Sequence, residues 1–161
     1  MAITQIHHVD LAVADVERSV AFYLALLGPL GAEEAFRYPT YRGTEDVVYL
    51  RLGRQYLGFR KADGGEHRYY GVGLEHLSIM VDARADVDDV YARCEALGAT
   101  VHFPPEEDSD IPGYWAMFFF DPDTVFSVAG ISVRIALIAI IGGIGTMAGP
   151  IMPSRLRSHC R

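Results

Sequence analysis

IHHVDLAVADVERSVAFYLALLG, residues 6–28, returns in altered spelling as LEHLSIMVDARADVDDVYARCEALG, residues 74–98. Both segments begin with a histidine-headed run of alternating apolar residues, the pattern of a strand with one face buried. In the first, Val9, Leu11 and Val13 share one face while His8, Asp10 and Ala12 share the other. In the second, Leu77, Ile79 and Val81 oppose His76, Ser78 and Met80. The period then lengthens to that of a helix. Val16, Val20, Tyr23, Leu24 and Leu27 form one apolar stripe, and Val87, Val90, Tyr91, Cys94 and Leu97 form the other. Asp15 is placed to cap the first helix, and Gly28 and Gly98 close the two. Packing the apolar strand face on the helical stripe turns His8 and His76 away from the helices, at matched places of a repeated unit.

Working outward, residues 47–62 (VVYLRLGRQYLGFRKA) read as two strands around Gly53 and Arg54. Residues 63–73 are a glycine-rich connection between the copies. Strands are expected at 99–103, at 114–120 and after the Asp121-Pro122-Asp123 turn, with PPEEDSDIPG (104–113) a loop by composition. Each copy is thus a β-α-β-β unit closed by a further strand. Tyr114 shares a strand of aromatics and is a candidate for the pocket wall, although such strands more often fill a core. Arg60 shares the strand parity of Gly58 and is placed to meet an anion. His67, His102 and His159 have no counterpart in the other copy and read as surface or loop residues.

The chain has 161 residues, half of them apolar and 22% charged, enough for one well-cored domain of two modules. All 21 acidic residues lie at or before Asp123. From Ala129 onward there are four arginines and no acid, and these raise the −11 of residues 1–128 to the chain's −7. An acidic body argues against nucleic acid as the partner, since phosphate binding needs a basic surface. Two cysteines, Cys94 and Cys160, make no disulfide framework, and a strand pattern begins almost at the first residue. A reduced, cytoplasmic protein without a signal peptide is the expectation.

Residues 7–28, 74–101 and 112–123 together resemble the vicinal oxygen chelate superfamily, which includes glyoxalase I, bleomycin-resistance proteins and extradiol dioxygenases. The resemblance covers roughly residues 4–123, in order. It implies an α+β fold of paired βαβββ modules, about 4–62 and 74–128, whose curved sheet encloses a cleft for a divalent metal. It also implies a homodimer and a small-molecule substrate or ligand. His8 and His76 fall on the histidine ligand positions of the two modules, with His7 turned to the other face. The two carboxylate positions fall near Gly58 and on Val128, where the resembling pattern has Gly-x-x-x-Glu after the DPD turn and this chain reads Thr124 to Val128. Both acids are missing.

That loss bears on the chemistry. A metal acting as a Lewis acid on adjacent substrate oxygens needs a firm donor set with open positions. Imidazole and carboxylate suit Fe, Mn, Ni or Zn, but two histidines alone hold a metal weakly. Asp10, on the face of His8, is the nearest substitute; Asp10, Arg60, Ser78 and Tyr114 complete the expected pocket. The resemblance therefore implies either a metal-dependent lyase, isomerase or dioxygenase, or a non-catalytic binder of the bleomycin-resistance type.

Residues 129–161 form an atypical apolar and basic tail. Ile135 to Met152 is an uncharged run just long enough to cross a membrane, but its glycines and prolines make a poor helix. The break in composition is what a reading-frame shift in or near codon 124 produces; a divergent tail is the other account. Under a frameshift, translating the gene beyond codon 123 in its other two frames restores a glycine followed four residues later by a glutamate. Absence of that pattern from both frames refutes it.

Overall fold

The computed structural model describes residues 5–39, 46–65, 72–123 and 126–132. The tail from 133, including the apolar run 135–152, lies outside the described residues, as do His67 and His159. Module one comprises β1 (His8–Val13), α1 (Val16–Leu27), β2 (Glu33–Pro39), β3 (Asp46–Leu52) and β4 (Gln55–Lys61). Module two comprises β5 (Leu77–Met80), α2 (Arg84–Ala96), β6 (Thr100–Glu107), β7 (Tyr114–Phe120) and β8 (Phe126–Ser132). Each module folds into one four-stranded sheet, β1-β4-β3-β2 and β5-β8-β7-β6. In both, the first strand pairs parallel with the last, and the remaining pairs described are antiparallel. This is the paired βαβββ architecture.

The helices form where the stripes place them, with differences that have physical causes. Asp15 caps α1 by accepting from the Arg18 backbone N–H at 2.9 Å. Gly28 stays right-handed and the chain continues through one 3-10 turn, Gly28–Leu30; the left-handed stop is Gly31, at φ 93°. The buried surface of α1 is broader than one stripe, because Ser19, Phe22 and Leu26 are buried as well. Its second flank meets module two, where the Phe22 ring lies 6.3 Å from that of Phe119. On α2, Val87, Val90 and Cys94 are buried, but Leu97 falls beyond the helix end and is 43% exposed.

The expected loop at 104–113 begins later. β6 runs through Pro104 and Pro105 to Glu107, with register shifts that absorb them. It lies at the edge of its sheet, the place where a strand tolerates residues without an N–H. β2 is also an edge strand and is exposed throughout. One core joins the modules: Leu11, Val13, Val20, Leu26, Leu50 and Phe59 from the first, Val90, Cys94, Met117, Phe119 and Ala129 from the second.

Polar contacts between the modules converge on the DPD turn. Asp123 accepts from the Ala14 N–H at 2.9 Å, from Arg18 at 3.1 Å and from the Ser19 hydroxyl at 2.8 Å. The Tyr23 hydroxyl donates to Asp121 at 3.0 Å and lies 3.3 Å from the Ser127 hydroxyl, all three groups being buried. Burial and the Asp121 charge hold the Tyr23 phenol well above its usual pKa. Removing this donor with Tyr23→Phe is expected to destabilise by about 1.5–3 kcal/mol, the range for a hydrogen bond to a charged group. Urea unfolding checks it: the midpoint should fall with the slope unchanged.

Candidate functional site

The face of the first sheet turned away from α1 is laid out by register. His8 lies opposite Tyr56, Asp10 opposite Gly58 and Ala12 opposite Arg60 on β4, while Tyr49 of β3 lies opposite Gly58 on its other side. Here Asp10 and Arg60, both expected in the pocket, come together with Tyr49. Arg60 Nε donates to Asp10 Oδ2 at 2.6 Å, the Tyr49 hydroxyl donates to the same oxygen at 3.1 Å, and Arg60 Nη2 donates to the Tyr49 oxygen at 3.1 Å. Burial, then hydrogen bonds with Tyr38 and Asp10, push the Tyr49 phenol up to about 12. Asp10 raises the Arg60 pKa further, so the guanidinium is a permanent cation. Phe36 and Tyr38 extend the face as an aromatic shelf, their ring centroids 4.9 and 6.1 Å from that of Tyr49.

Gly58 makes this cluster fit. A Cβ there would sit 2.3 Å from Asp10 Oδ1 and 2.7 Å from Tyr49 Cε1, both too close for a side chain. The volume in which a carboxylate side chain would begin is filled by Asp10 and Tyr49.

In the second sheet Ser78 lies opposite Val128 and Met80 opposite Gly130. Asp10 and Ser78 occupy equivalent places on β1 and β5, so Gly58 and Val128 are equivalent positions on β4 and β8. Ser78 hydrogen-bonds Tyr114, whose phenol burial raises in pKa. The Tyr114 ring packs beside Gly130, where a Cβ would lie 3.2 Å from Cε2 and from the hydroxyl oxygen. Tyr114 belongs to a small aromatic cluster with Phe103, Phe118 and Phe120, separate from the main core. Trp115, on the opposite face, packs on the main core and carries the Arg84 guanidinium 5.0 Å from its ring centroid.

His8 heads β1 and His76 stands one residue before β5. His8 Nδ1 is 2.9 Å from His7 Nδ1, and its ring is 5.9 Å from that of Tyr49. His7 is not turned to the other face: its ring lies 5.3 Å from Tyr56, on the His8 side. It precedes the strand, so strand alternation does not govern it. His76 Nδ1 is held by Glu75 Oε2, a partner that the alternation pattern gives no means of finding. Between the unpaired edges of β1 and β5 lies a cleft of about 750 Å³. Its walls are mostly apolar, with Val9, Leu57, Leu77 and Ile79 prominent, and His8, Tyr56, Ser78 and Gln55 supply polar atoms. That volume is within the range of small-molecule pockets.

Duplicated βαβββ modules with a cleft between the lead strands define a glyoxalase-type protein. The sequence profile of the Glyoxalase/Bleomycin resistance protein/Dioxygenase superfamily matches residues 5–126, and the chain belongs to that superfamily. Over 123 residues it is 28% identical to the uncharacterized protein YqjT of Bacillus subtilis (strain 168), a match spanning 74% of this chain and 92% of that one. Among solved structures it is similar to a glyoxylase/bleomycin resistance protein/dioxygenase domain from Frankia sp. EAN1pec. That match has 27% identity and a TM-score of 0.70, covering 81% of this chain and 99% of the other. The fold is shared with the fosfomycin resistance protein FosX of Listeria monocytogenes, solved with Mn(II) and sulfate, at 18% identity and a TM-score of 0.62 over 85% and 99% of the two chains.

The donor set does not fit the four-ligand metal centre that the resemblance implies. Among the described residues no three of His, Cys, Asp and Glu come together to hold a metal. Asp10, the nearest substitute, is bonded through Oδ2 to a guanidinium whose charge repels a cation. Because Asp10 fills the space over residue 58, Gly58→Ala is expected to destabilise by about 1–3 kcal/mol through overpacking. In an Asp10→Ala background the cost should shrink by about 0.5 kcal/mol or more. A double-mutant cycle of denaturation free energies measures this; additive costs would mean that the crowding is absent.

Proposed function

We propose that this chain is a small-molecule-binding member of the superfamily, of the bleomycin-resistance type, with a degenerate metal site and its ligand on the sheet face that carries Asp10, Tyr49 and Arg60, next to the cleft that His8 and Tyr56 line. The observation that carries this reading is the filling of the Gly58 position by Asp10 and Tyr49, with Arg60 locked onto both. A face built this way offers an aromatic shelf, a fixed cation and a phenol. These groups suit a planar or oxygen-rich ligand better than a metal. Pairing of two copies belongs to the same reading, supported by the exposed edge strand β2, where Phe36 and Tyr38 are 43% and 41% exposed.

A second reading has its own support. His8 and His76 fall on the ligand positions that the resemblance implies, and Glu75 contacts the His76 ring as carboxylates contact metal-bound imidazoles. Under it, His8 and His76 bind Fe, Mn, Ni or Zn, and the protein is a lyase, isomerase or dioxygenase acting on adjacent oxygens.

Metal analysis of the purified protein beside its His8→Ala and His76→Ala variants separates the two. The binder reading expects no stoichiometric metal in any of them. It also expects a thermal-shift hit from an oxygen-rich ligand panel to survive both substitutions, stabilising by about 2.7 kcal/mol at a hundredfold excess over Kd. One equivalent of metal, lost in both variants, would overturn it in favour of the enzyme.

A further inference from the structure

The Arg60 guanidinium is anchored along one edge and open along another. A guanidinium carries five N–H donors in a fixed plane. In Arg60, Nε donates to Asp10 Oδ2 at 2.6 Å and Nη2 donates to the Tyr49 oxygen at 3.1 Å. Both hydrogens of Nη1 and the second of Nη2 have no partner among the described residues. The side chain is 37% exposed, and Nη1 is not sealed in the protein. Held by β1 through Asp10 and by β3 through Tyr49, the planar group is fixed before a ligand arrives, which lowers the ordering cost of binding. The aromatic shelf begins beside it. Tyr38 hydrogen-bonds the same Tyr49 hydroxyl that Arg60 meets, and its ring stacks on that of Tyr49 with the planes 20° apart.

We propose that the ligand of this face is an aromatic acid, its ring on Phe36 and Tyr38 and its carboxylate bridging Nη1 and Nη2 of Arg60. This rests on the binder reading above and narrows it from a planar or oxygen-rich ligand to one chemistry. Two parallel N–H groups match the two oxygens of a carboxylate, and charge makes such bonds roughly twice as strong as those to a neutral carbonyl. The ring is needed as well. Asp10 already neutralises the guanidinium and the chain is acidic overall, so a carboxylate without an arene gains little from long-range attraction.

Titration of the ¹⁵N-labelled full-length protein with naphthalene-2-carboxylate, naphthalene-2-carboxamide and acetate, followed through backbone amide shifts, tests both halves. The naphthoate should move the amides of Tyr38, Tyr49 and Arg60 and bind about tenfold or more tightly than the carboxamide. Acetate should move them only at far higher concentration. In Arg60→Gln the naphthoate should fall to the carboxamide's affinity, and Tyr38→Ala should weaken both arenes. If Arg60→Gln does not fold, naphthoate against carboxamide in the unaltered protein decides. Equal affinity of those two, with both moving the same amides, overturns the acid and leaves the ligand-binding face standing. No shift at this face from any of the three overturns the proposal. The face itself falls with it only if the oxygen-rich panel also leaves these amides unmoved.

Discussion

The DPD turn clamped on the first turns of α1 is the contact on which the arrangement of the modules depends. A helix N-terminus leaves backbone N–H groups unpaired and carries partial positive charge. Here two carboxylates answer it, Asp15 from the helix's own cap and Asp123 from the other module. The Asp123 backbone N–H in turn donates to Asp121, whose other oxygen receives the buried Tyr23 hydroxyl. One three-residue turn thereby ties a helix start, a helix interior and the head of β8.

Duplication explains why polar groups converge at all. A strand whose apolar side packs on a helix presents its other side to whatever lies beyond. From those sides His8, Tyr56, Ser78 and Met80 reach the cleft between the two lead strands. The copies have diverged in what they present. Module one offers a salt-bridged carboxylate, a phenol and an aromatic shelf. Module two offers the Ser78–Tyr114 pair and a histidine held by a glutamate. The two sheets are therefore polar in different ways.

Most of the fold was legible because alternation and helical stripes report which face is buried, and burial is what organises a βαβββ unit. The faces assigned to Leu11, Val13, Leu77 and Ile79 are the faces that pack on the core. Features that depend on the second module were not legible. Phe22 and Ser19 meet residues about a hundred positions away, and no local period announces that. Pro104 and Pro105 read as a loop because composition cannot say which strand will be an edge. In the site, Asp10 and Arg60 could be placed on a shared face by parity, but their partner Tyr49 lies on a third strand. Its position follows only from register.

The two missing carboxylates also differ physically, although register makes their positions equivalent. At 128 the change lies within β8, where the neighbouring Ser127 and Ala129 are both buried. At 58 the surroundings have been rebuilt. A glutamate there would have to displace the Asp10 carboxylate and the Tyr49 ring. Displacing Asp10 removes the anion that neutralises Arg60, and the freed guanidinium would face the cation that the glutamate was meant to hold. Recovering a metal centre in module one therefore needs coordinated change at 10, 49, 58 and 60. A single substitution at 58 would leave a charge conflict where the ligand set should be.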